Sequence, residues 1–459
     1  MSQIKWVAEA FVIAVALNYS ALVLSQQSVS ENASWNHTFH GNVKYTLQAT
    51  HFPEESLYRP LLGASVDDHF ASSRLKWQFH KSAWDAQVDY QIVGYYRDRL
   101  GLQPSTEQYL QRALYPDDQF RWFDLTKVFH DEEKSVALHR LDRFNIGYAR
   151  DDWVVRLGRQ IVSWGNGLLF NSVDFFNPFD PASLDKEYKI GDDMLFGQYL
   201  ANDGDDVQVV AVIRRNGAGD VREAVASEAI KYHAWVDNWL NGESWFSGAE
   251  LEVVIARHYR DEIIAAGLVN NVGDAVWRGE LMLSHSTGYA NSSASGSSAL
   301  RSSESDKLVM SFVTNLSYSW VWLGKNVSGI VEYYYNGFGL TGDYSLERVM
   351  SDAALFERVE RGELYTIGRH YLGLSGVVEL TPLMTFSPSA FVNLADQSAL
   401  VQLSVSYSAA QNVQIIGAIN LPVGSSGTEY GGLKQTTGSV NDVPLSSDLG
   451  FFFQAAYYF

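Results

Sequence analysis

The chain contains no cysteine. That removes disulfides, thiolate metal sites and thiol nucleophiles together. Proline is scarce, at 10 residues in 459, and no proline-rich linker divides the sequence, so one domain is expected. Lysine and arginine number 34 against 53 aspartates and glutamates, a net charge of −19. A phosphate-binding surface needs the opposite balance, which excludes nucleic acid as a partner. Past residue 25, no stretch approaches the ~20 apolar residues that a spanning helix requires. Repeats of solenoid or propeller length are missing, as are the HExxH and P-loop motifs.

What is present begins with an apolar run. Lys5 precedes Trp6 to Leu24, and Val23 and Ser25 suit cleavage before Gln26. Residues 1–25 therefore read as a secretory signal peptide, leaving 26–459 as the mature domain. Aromatic residues make up 14% of the chain, enough to furnish interfacial girdles.

The rest alternates in polarity. Arg74, Lys76, Gln78 and His80 interleave with Leu75, Trp77 and Phe79; after a tight turn, Gln87, Asp89 and Gln91 interleave with Val88, Tyr90 and Ile92. Each such pair is a hairpin with one wet and one apolar face. Segments of the same style recur at 41–48, 143–148, 153–160, 194–200, 207–214, 250–257, 262–269, 275–285, 307–319, 327–337, 369–380, 384–394, 400–408 and 413–419. The last segment places Phe451, Phe453, Ala455, Tyr457 and Phe459 on one apolar face. A buried strand of a soluble sandwich could end so, but a strand closing a barrel in lipid has a reason to. With Ala229–Trp235 counted as a strand, about eighteen result, and the two classes of connection alternate as they must when both ends of a barrel lie on one side, with 236–248 unusually long for an inner connection and 258–261 and 395–398 unusually short for outer ones. The reading is an all-β fold: a transmembrane antiparallel barrel in the cell outer membrane, its outer face in lipid.

One segment breaks the pattern. Gly158-Arg159-Gln160-Ile161-Val162-Ser163-Trp164-Gly165-Asn166-Gly167-Leu168-Leu169-Phe170 continues through Asn171-Ser172-Val173-Asp174-Phe175-Phe176-Asn177-Pro178-Phe179-Asp180-Pro181. Its aromatic residues want burial, and glycine and asparagine permit tight bends. After a barrel strand, burial is available only in the lumen or beneath other loops. This stretch resembles the "LGRQ…WG…NP.D" loop of Gram-negative outer-membrane barrels related to the alginate-export type. It is closer still to uncharacterised barrels encoded beside large resistance-nodulation-division exporters. The resemblance is sharp over roughly residues 140–215 and general elsewhere. It implies an eighteen-strand porin-like barrel with an inward-folded loop that narrows the pore, passing a small or amphiphilic solute. It also implies an inner-membrane exporter as a partner.

Alginate exporters line their lumen with arginines, whereas the inward candidates here are mixed. Arg74, Lys76, Arg143, Arg156 and Arg278 stand beside Asp89, Glu250, Glu252, Glu280 and Glu332, so alginate and anion selectivity are not supported. Candidates for the constriction are Arg156, Arg159, Gln160, Trp164, Asp174, Asp180 and Asp185. The competing reading is that Arg159 and the aspartates only pin loop backbone. An enzyme of phospholipase type, or a structural or adhesive barrel, is the alternative function. The nearest catalytic pattern is Ser284-His285-Ser286, whose neighbours face opposite ways on a strand, so no catalytic residue is assigned. Asp203-Gly204-Asp205-Asp206 offers oxygen ligands to Ca²⁺ but reads first as a hairpin turn, and Asp192-Asp193 reads as a solvated strand entrance. No metal or cofactor is expected.

Overall fold

Alternation fixes the wall: successive side chains leave a strand on opposite faces. In the computed structural model, which describes residues 35–97, 118–215, 225–238, 246–286, 307–342, 344–435 and 443–459, this produces a closed antiparallel barrel of 18 positions, built from 19 strands because two short ones share one position. The leader assigned to residues 1–25 and the serine-rich stretch 292–305 lie outside the described residues. The first strands are β1 (Asn36–His51), β2 (Ser65–Lys81), β3 (Trp84–Arg97), β4 (Thr126–Glu132), β5 (Ser135–Arg150), β6 (Trp153–Gln160), β7 (Asp192–Leu200), β8 (Asp206–Val212) and β9 (Ser227–Trp235). They continue with β10 (Glu250–His258), β11 (Asp261–Val272), β12 (Ala275–Ser286), β13 (Lys307–Trp322), β14 (Lys325–Tyr335), β15 (His370–Thr381), β16 (Met384–Asn393), β17 (Ser398–Ala410) and β18 (Val413–Val423). A short pair, β19 (Leu433–Gln435) and β20 (Val443–Leu445), stands apart from the wall, and β21 (Leu449–Tyr458) closes it against both β18 and β1.

Every segment read as a strand is one, Ala229–Trp235 included, and the observed strands run further at most ends. Hydropathy stops sooner than the ladder because strand ends carry polar residues that the backbone does not distinguish. At the closing seam Gly41 and Phe459 exchange both backbone hydrogen bonds, at 2.9 and 3.0 Å. The Phe459 ring lies where a side chain on Gly41 would stand, its Cζ 2.7 Å from the ideal Cβ position. A larger residue at 41 would push the last ring out of the seam.

The outer face is greasy and open. Phe144, Ile146, Val155, Leu157, Leu195, Val209, Ile255, Ile264, Leu316 and Val331 are exposed there. A band this extensive is far larger than the apolar patches that water tolerates; it needs lipid. Aromatic residues gather near the short-turn end, with Trp84 on Tyr148 (ring centroids 4.9 Å), Trp153 on Tyr199 (4.7 Å) and Tyr318 on Trp320 (5.8 Å). At the opposite end, helices Leu346–Ser351 and Ala353–Glu360 and the segment around Glu429 pack over the rim.

One wall element has no counterpart in the sequence reading. Strand β5 spans 16 residues, but β6 spans 8 and covers only its second half, from Phe144 to Arg150. Where β6 departs, β4 takes over the vacated edge, pairing with Ser135–Arg140. The missing half of β6 is the chain that enters the barrel.

Candidate functional site: the loop that crosses the lumen

Residues 161–191 turn inward because they cannot remain in water. Trp164, Phe170, Phe175 and Phe176 are all buried, and burying each such ring is worth about 1.5–3 kcal/mol. Gly165 sits at φ +93°, a left-handed conformation that side chains disfavour, and a Cβ there would stand 2.7 Å from Glu280 Oε2. That close approach is what the glycine permits.

The outgoing limb then meets two carboxylates of the wall. Glu280 of β12 is 1% exposed and Glu332 of β14 is 0% exposed. Glu280 accepts from the backbone N–H groups of Asn166 (2.7 Å) and Ser172 (2.7 Å), from the Ser172 hydroxyl (2.8 Å), and more distantly from Gly167 and Val173 (both 3.3 Å). Glu332 accepts from the consecutive amides of Leu168 (2.7 Å), Leu169 (3.0 Å) and Phe170, and from the Asn315 side chain (3.0 Å). Runs of N–H groups converging on an anion form the concavities that bind phosphate in other proteins; here the wall itself supplies the anions. Asn171 shapes the second bend, its Oδ1 accepting from Val173 and Asp174 N–H. Phe170 then stacks on Tyr334 (centroids 5.2 Å) and packs against Tyr371 and Phe391.

The return limb inverts this chemistry. Asp185 and Glu187 of the loop face Lys44 of β1, at 2.7 and 2.6 Å. Gln454 of the closing strand also donates to Asp185 (3.0 Å), and Tyr458 to Glu187 (3.1 Å). The Tyr188 ring lies under Arg74 (3.7 Å) and Lys76 (4.1 Å). Gln402 of β17 donates to Ala182 O (2.9 Å), and Tyr365 to Pro178 O (3.2 Å). Lys189 joins the two limbs, donating to Ser163 and to Asp174.

The sequence candidates fall into distinct places. Arg159, 2% exposed, is clamped between Asp118 and Asp193 at the loop root, its Nε 2.9 Å from Asp193 Oδ1. Gln160 is buried and donates to the carbonyls of Arg156 and Met194. Trp164 is buried against Phe175 and Phe176, its indole N–H on Gln208 (2.8 Å). Asp174 and Asp185 are ion-paired as described, and Asp180 holds a turn by accepting from Ala182 N–H (3.0 Å). Arg156 alone among these stands toward the short-turn end, 3.7 Å from Asp85 and partly exposed. Of the inward candidates, Arg74 and Arg143 are buried beside Asp142, Lys76 faces Tyr188, and Asp89 accepts from Gln87 (3.1 Å). Arg278 donates to Ser317 (2.9 Å).

Some partners carried no sequence signal strong enough to single them out. Asp118, Asp142, Lys189 and Tyr188 look like ordinary loop or strand residues until the fold brings them to Arg159, Arg74, Asp174 and Lys76. Asp192 and Asp193 correct the expectation of a solvated entrance: both are buried, Asp192 against Arg214 (2.8 Å) and Asp193 against Arg159. Asp205 is likewise buried in its hairpin turn, accepting from the Tyr232 hydroxyl (2.6 Å) and Trp235 N–H (3.1 Å). Ser284 and Ser286 face inward and are buried, while His285 is half-buried on the opposite face, 3.7 Å from Glu262.

Space remains on both flanks of the loop. One cavity of about 220 Å³ is lined by Lys44, Arg74, Arg140, Asp185, Tyr188 and Lys189. Another of about 220 Å³ is lined by Trp164, Asn166, Lys231, His233, Glu250 and Glu252. A third of about 350 Å³ lies toward the short turns, among Gln78, His80, Asp85, Gln87 and Arg156.

No protein-family model matches the chain, and no curated protein matches it. Among solved structures it is similar to OccD3 (OpdP) of Pseudomonas aeruginosa, at 8% identity over 95% of each chain with a TM-score of 0.48. It is also similar to OpdK of the same organism, solved with vanillate, at 10% identity over 92% of this chain and 98% of that one, TM-score 0.48. A third is Wzi of Escherichia coli, described as an outer-membrane carbohydrate-binding β-barrel involved in group 1 capsule assembly. Its identity is 10%, over 90% of this chain and 83% of that one, TM-score 0.45.

Proposed function

We propose that the protein is an outer-membrane channel of porin type, passing a small or amphiphilic solute without covalent chemistry. The observation that carries this reading is the loop 161–191: it crosses a polar lumen and is tied to the wall on every side, yet leaves polar cavities on both flanks. A plug built only for stability has no need of solvent-sized space lined by charged groups. Charged rings at a narrow point set which ions pass a pore, and the groups bordering the flanking cavities are the candidates here, with Arg156 at the inner mouth. Localisation in the outer membrane follows from the apolar outer band and the β-barrel wall. An inner-membrane exporter as partner remains part of the proposal through the loop motif alone.

Reconstitution in planar bilayers tests the channel. The expected result is discrete conductance for the full chain and a larger, less selective conductance when residues 165–188 are replaced by a short glycine-serine linker. Silence from both proteins, each shown folded by heat-modifiable gel migration, would overturn it.

A further inference from the structure

Charge is spread unevenly around the wall. Strands β16, β17, β18 and β21 are consecutive neighbours in the barrel and contain no Asp, Glu, Lys or Arg, whereas every other wall strand contains at least one. Their inner face is nonetheless polar. On β17, Leu403, Val405 and Tyr407 are exposed toward lipid, so Ser404, Ser406 and Ser408 between them face the lumen. The register sets Ser404 beside Ser387 and Ser406 beside Thr385 of β16, and Ser408 beside Gln414 of β18. Closure of the barrel does not account for the missing charges, because β1 and β2, across the seam, carry Lys44, Arg74 and Lys76. Nor does anchoring of the loop: Gln402 meets it at Ala182 O, and the three serines follow Gln402 toward the short turn at 411–412.

The hydroxyls of this sector are open rather than spent. Ser404 donates to the Ser387 carbonyl (3.1 Å), and Gln414 donates to the Ser406 hydroxyl (3.0 Å). Among the described residues the hydroxyls of Thr385, Ser387 and Ser408 have no protein partner, and none of them is sealed: Ser408 is exposed, and the other two are half-buried on the lumen face. A hydroxyl donates one hydrogen bond and accepts two, so even the bonded members keep capacity. Inward positions repeat every ~6.7 Å along a strand and every ~4.8 Å across strands, which makes a lattice of weak, similar sites. A conducting pore needs such sites, since each must release what it binds. An ion finds no opposite charge here to replace its hydration, whereas a neutral hydroxylated molecule exchanges water for serine at little cost. The opposite arc, with Asp85, Arg156, Lys231 and Glu250, has no such uniformity.

We propose that below the loop the solute passes along this uncharged sector, and that the class it favours is uncharged and rich in hydroxyl groups, as polyols and saccharides are. The inference rests on the channel reading and gives it a path and a solute class. Because the chain has no cysteine, single cysteine variants report the path. In planar bilayers, S404C and S408C should lose at least a third of their potassium chloride conductance on treatment with sodium (2-sulfonatoethyl) methanethiosulfonate, and V405C, on the lipid face, should lose none. Swelling of proteoliposomes tests the class: D-glucose should enter at least threefold faster than sodium gluconate or glucosamine hydrochloride, which differ from it chiefly in charge. Removing three hydroxyls, in S387A/S404A/S408A, should slow glucose at least threefold while potassium chloride conductance stays within twofold of the wild type, in a protein shown folded by heat-modifiable migration. Should the triple variant fail to fold, S387A and S408A singly carry the test, each with a smaller loss in the same direction. S404C and S408C that conduct unchanged after treatment, charged sugars that enter as fast as glucose, or unchanged glucose entry in the folded alanine variants would each overturn the proposal. Potassium chloride conductance without a preference for glucose leaves the channel and removes the uncharged path, and a folded protein that conducts nothing removes both.

Discussion

The two limbs of the inward loop are held by opposite chemistries. On the outgoing limb the wall supplies carboxylates, Glu280 and Glu332, and the loop supplies uncharged donors, chiefly its own backbone. On the return limb the loop supplies carboxylates, Asp185 and Glu187, and the Tyr188 ring, and the wall supplies cations, Lys44, Lys76 and Arg74. The difference has a physical consequence. Amide donors lie at fixed positions along a folded backbone, so the outgoing limb is locked in shape as well as in place. Ion pairs between flexible side chains hold position less strictly and respond to salt. The loop is thus expected to be rigid where it crosses beneath β12–β14 and adjustable where it passes β1 and β2.

The most forceful way to break this contrast is to remove a wall glutamate. Glu332→Ala strands the N–H groups of Leu168, Leu169 and Phe170 in a buried setting. Hydrogen bonds to charged groups are worth ~1.5–3 kcal/mol each, so the outgoing limb should come away from the wall. Limited trypsin digestion of the folded protein reads this directly, through cleavage after Lys186 and Lys189. Cleavage should accelerate at least tenfold, and the double variant Glu280→Ala/Glu332→Ala should be faster again. A variant cut no faster than the wild type would mean that the amide cradle does not hold the loop.

A smaller effect is expected on the return limb. Lys44→Ala removes a cation shared by Asp185 and Glu187, whose side chains are each 32% exposed. Screened pairs of this kind contribute about 1 kcal/mol or less, so cleavage should rise only severalfold. Raising salt from 50 mM to 1 M should reproduce part of that rise in the wild type and little of it in Lys44→Ala. Equal salt sensitivity in the two proteins would erase the distinction between the limbs.

The same contrast recurs in miniature at the long-loop rim, where pH sharpens it. Glu429 is held by neutral donors, namely the Tyr371 hydroxyl, the Asn393 amide (2.8 Å) and Ile367 N–H (3.0 Å), and burial pushes it from 4.5 up to about 7. Glu363 is buried too, but Arg361 and His258 overcome that penalty and hold it well below the usual carboxylate range. The signs are opposite. Between 4.5 and about 7 the folded state keeps a proton on Glu429 that the unfolded chain has released. Its contribution is therefore full below the unfolded value and is lost as pH rises through 7. Glu363 contributes above the unfolded value and loses that contribution as pH falls below it. Urea-gel unfolding across pH 3–9 should show Glu429→Gln flattening the neutral-side loss and Glu363→Gln flattening the acid-side loss. Exchange of these two behaviours would refute the assignment.

How much of this was legible beforehand varies with the kind of interaction. The long barrel strands were visible because lipid on one side and water on the other impose a period of two on them. Even the weak segment Ala229–Trp235 was recoverable, since an odd count would leave the ends of the wall on opposite sides. The extra strand β4 was not, because its existence depends on β6 leaving the wall early. At the site, the aromatic and glycine content of Gly158–Pro181 announced an inward fold. Charge patterning also put Glu280, Glu332, Arg74 and Lys76 on the inner face. It did not distinguish a charge open to the lumen from one capped by amides or clamped by a distant aspartate. Arg159 is the clear case: it is an arginine at the mouth of a pore loop, yet it is consumed by Asp118, 41 residues earlier, and Asp193, 34 residues later.

By itself, then, the sequence determined what repeats: the succession of long strands, the greasy outer face, the polar inner face and the place where the chain departs from the wall. Those properties follow from local alternation and from a solvent that differs on the two sides, and each residue reports its own share. The tertiary structure alone decided which charges are spent. Glu280 and Glu332 are occupied by backbone amides more than a hundred residues away. Glu252 turns one oxygen toward Lys231 and buries the other over Gly267, beside the Asn166 amide of the loop. Backbone donors carry no signature in side-chain chemistry, so their targets come into view only when the chain is closed on itself.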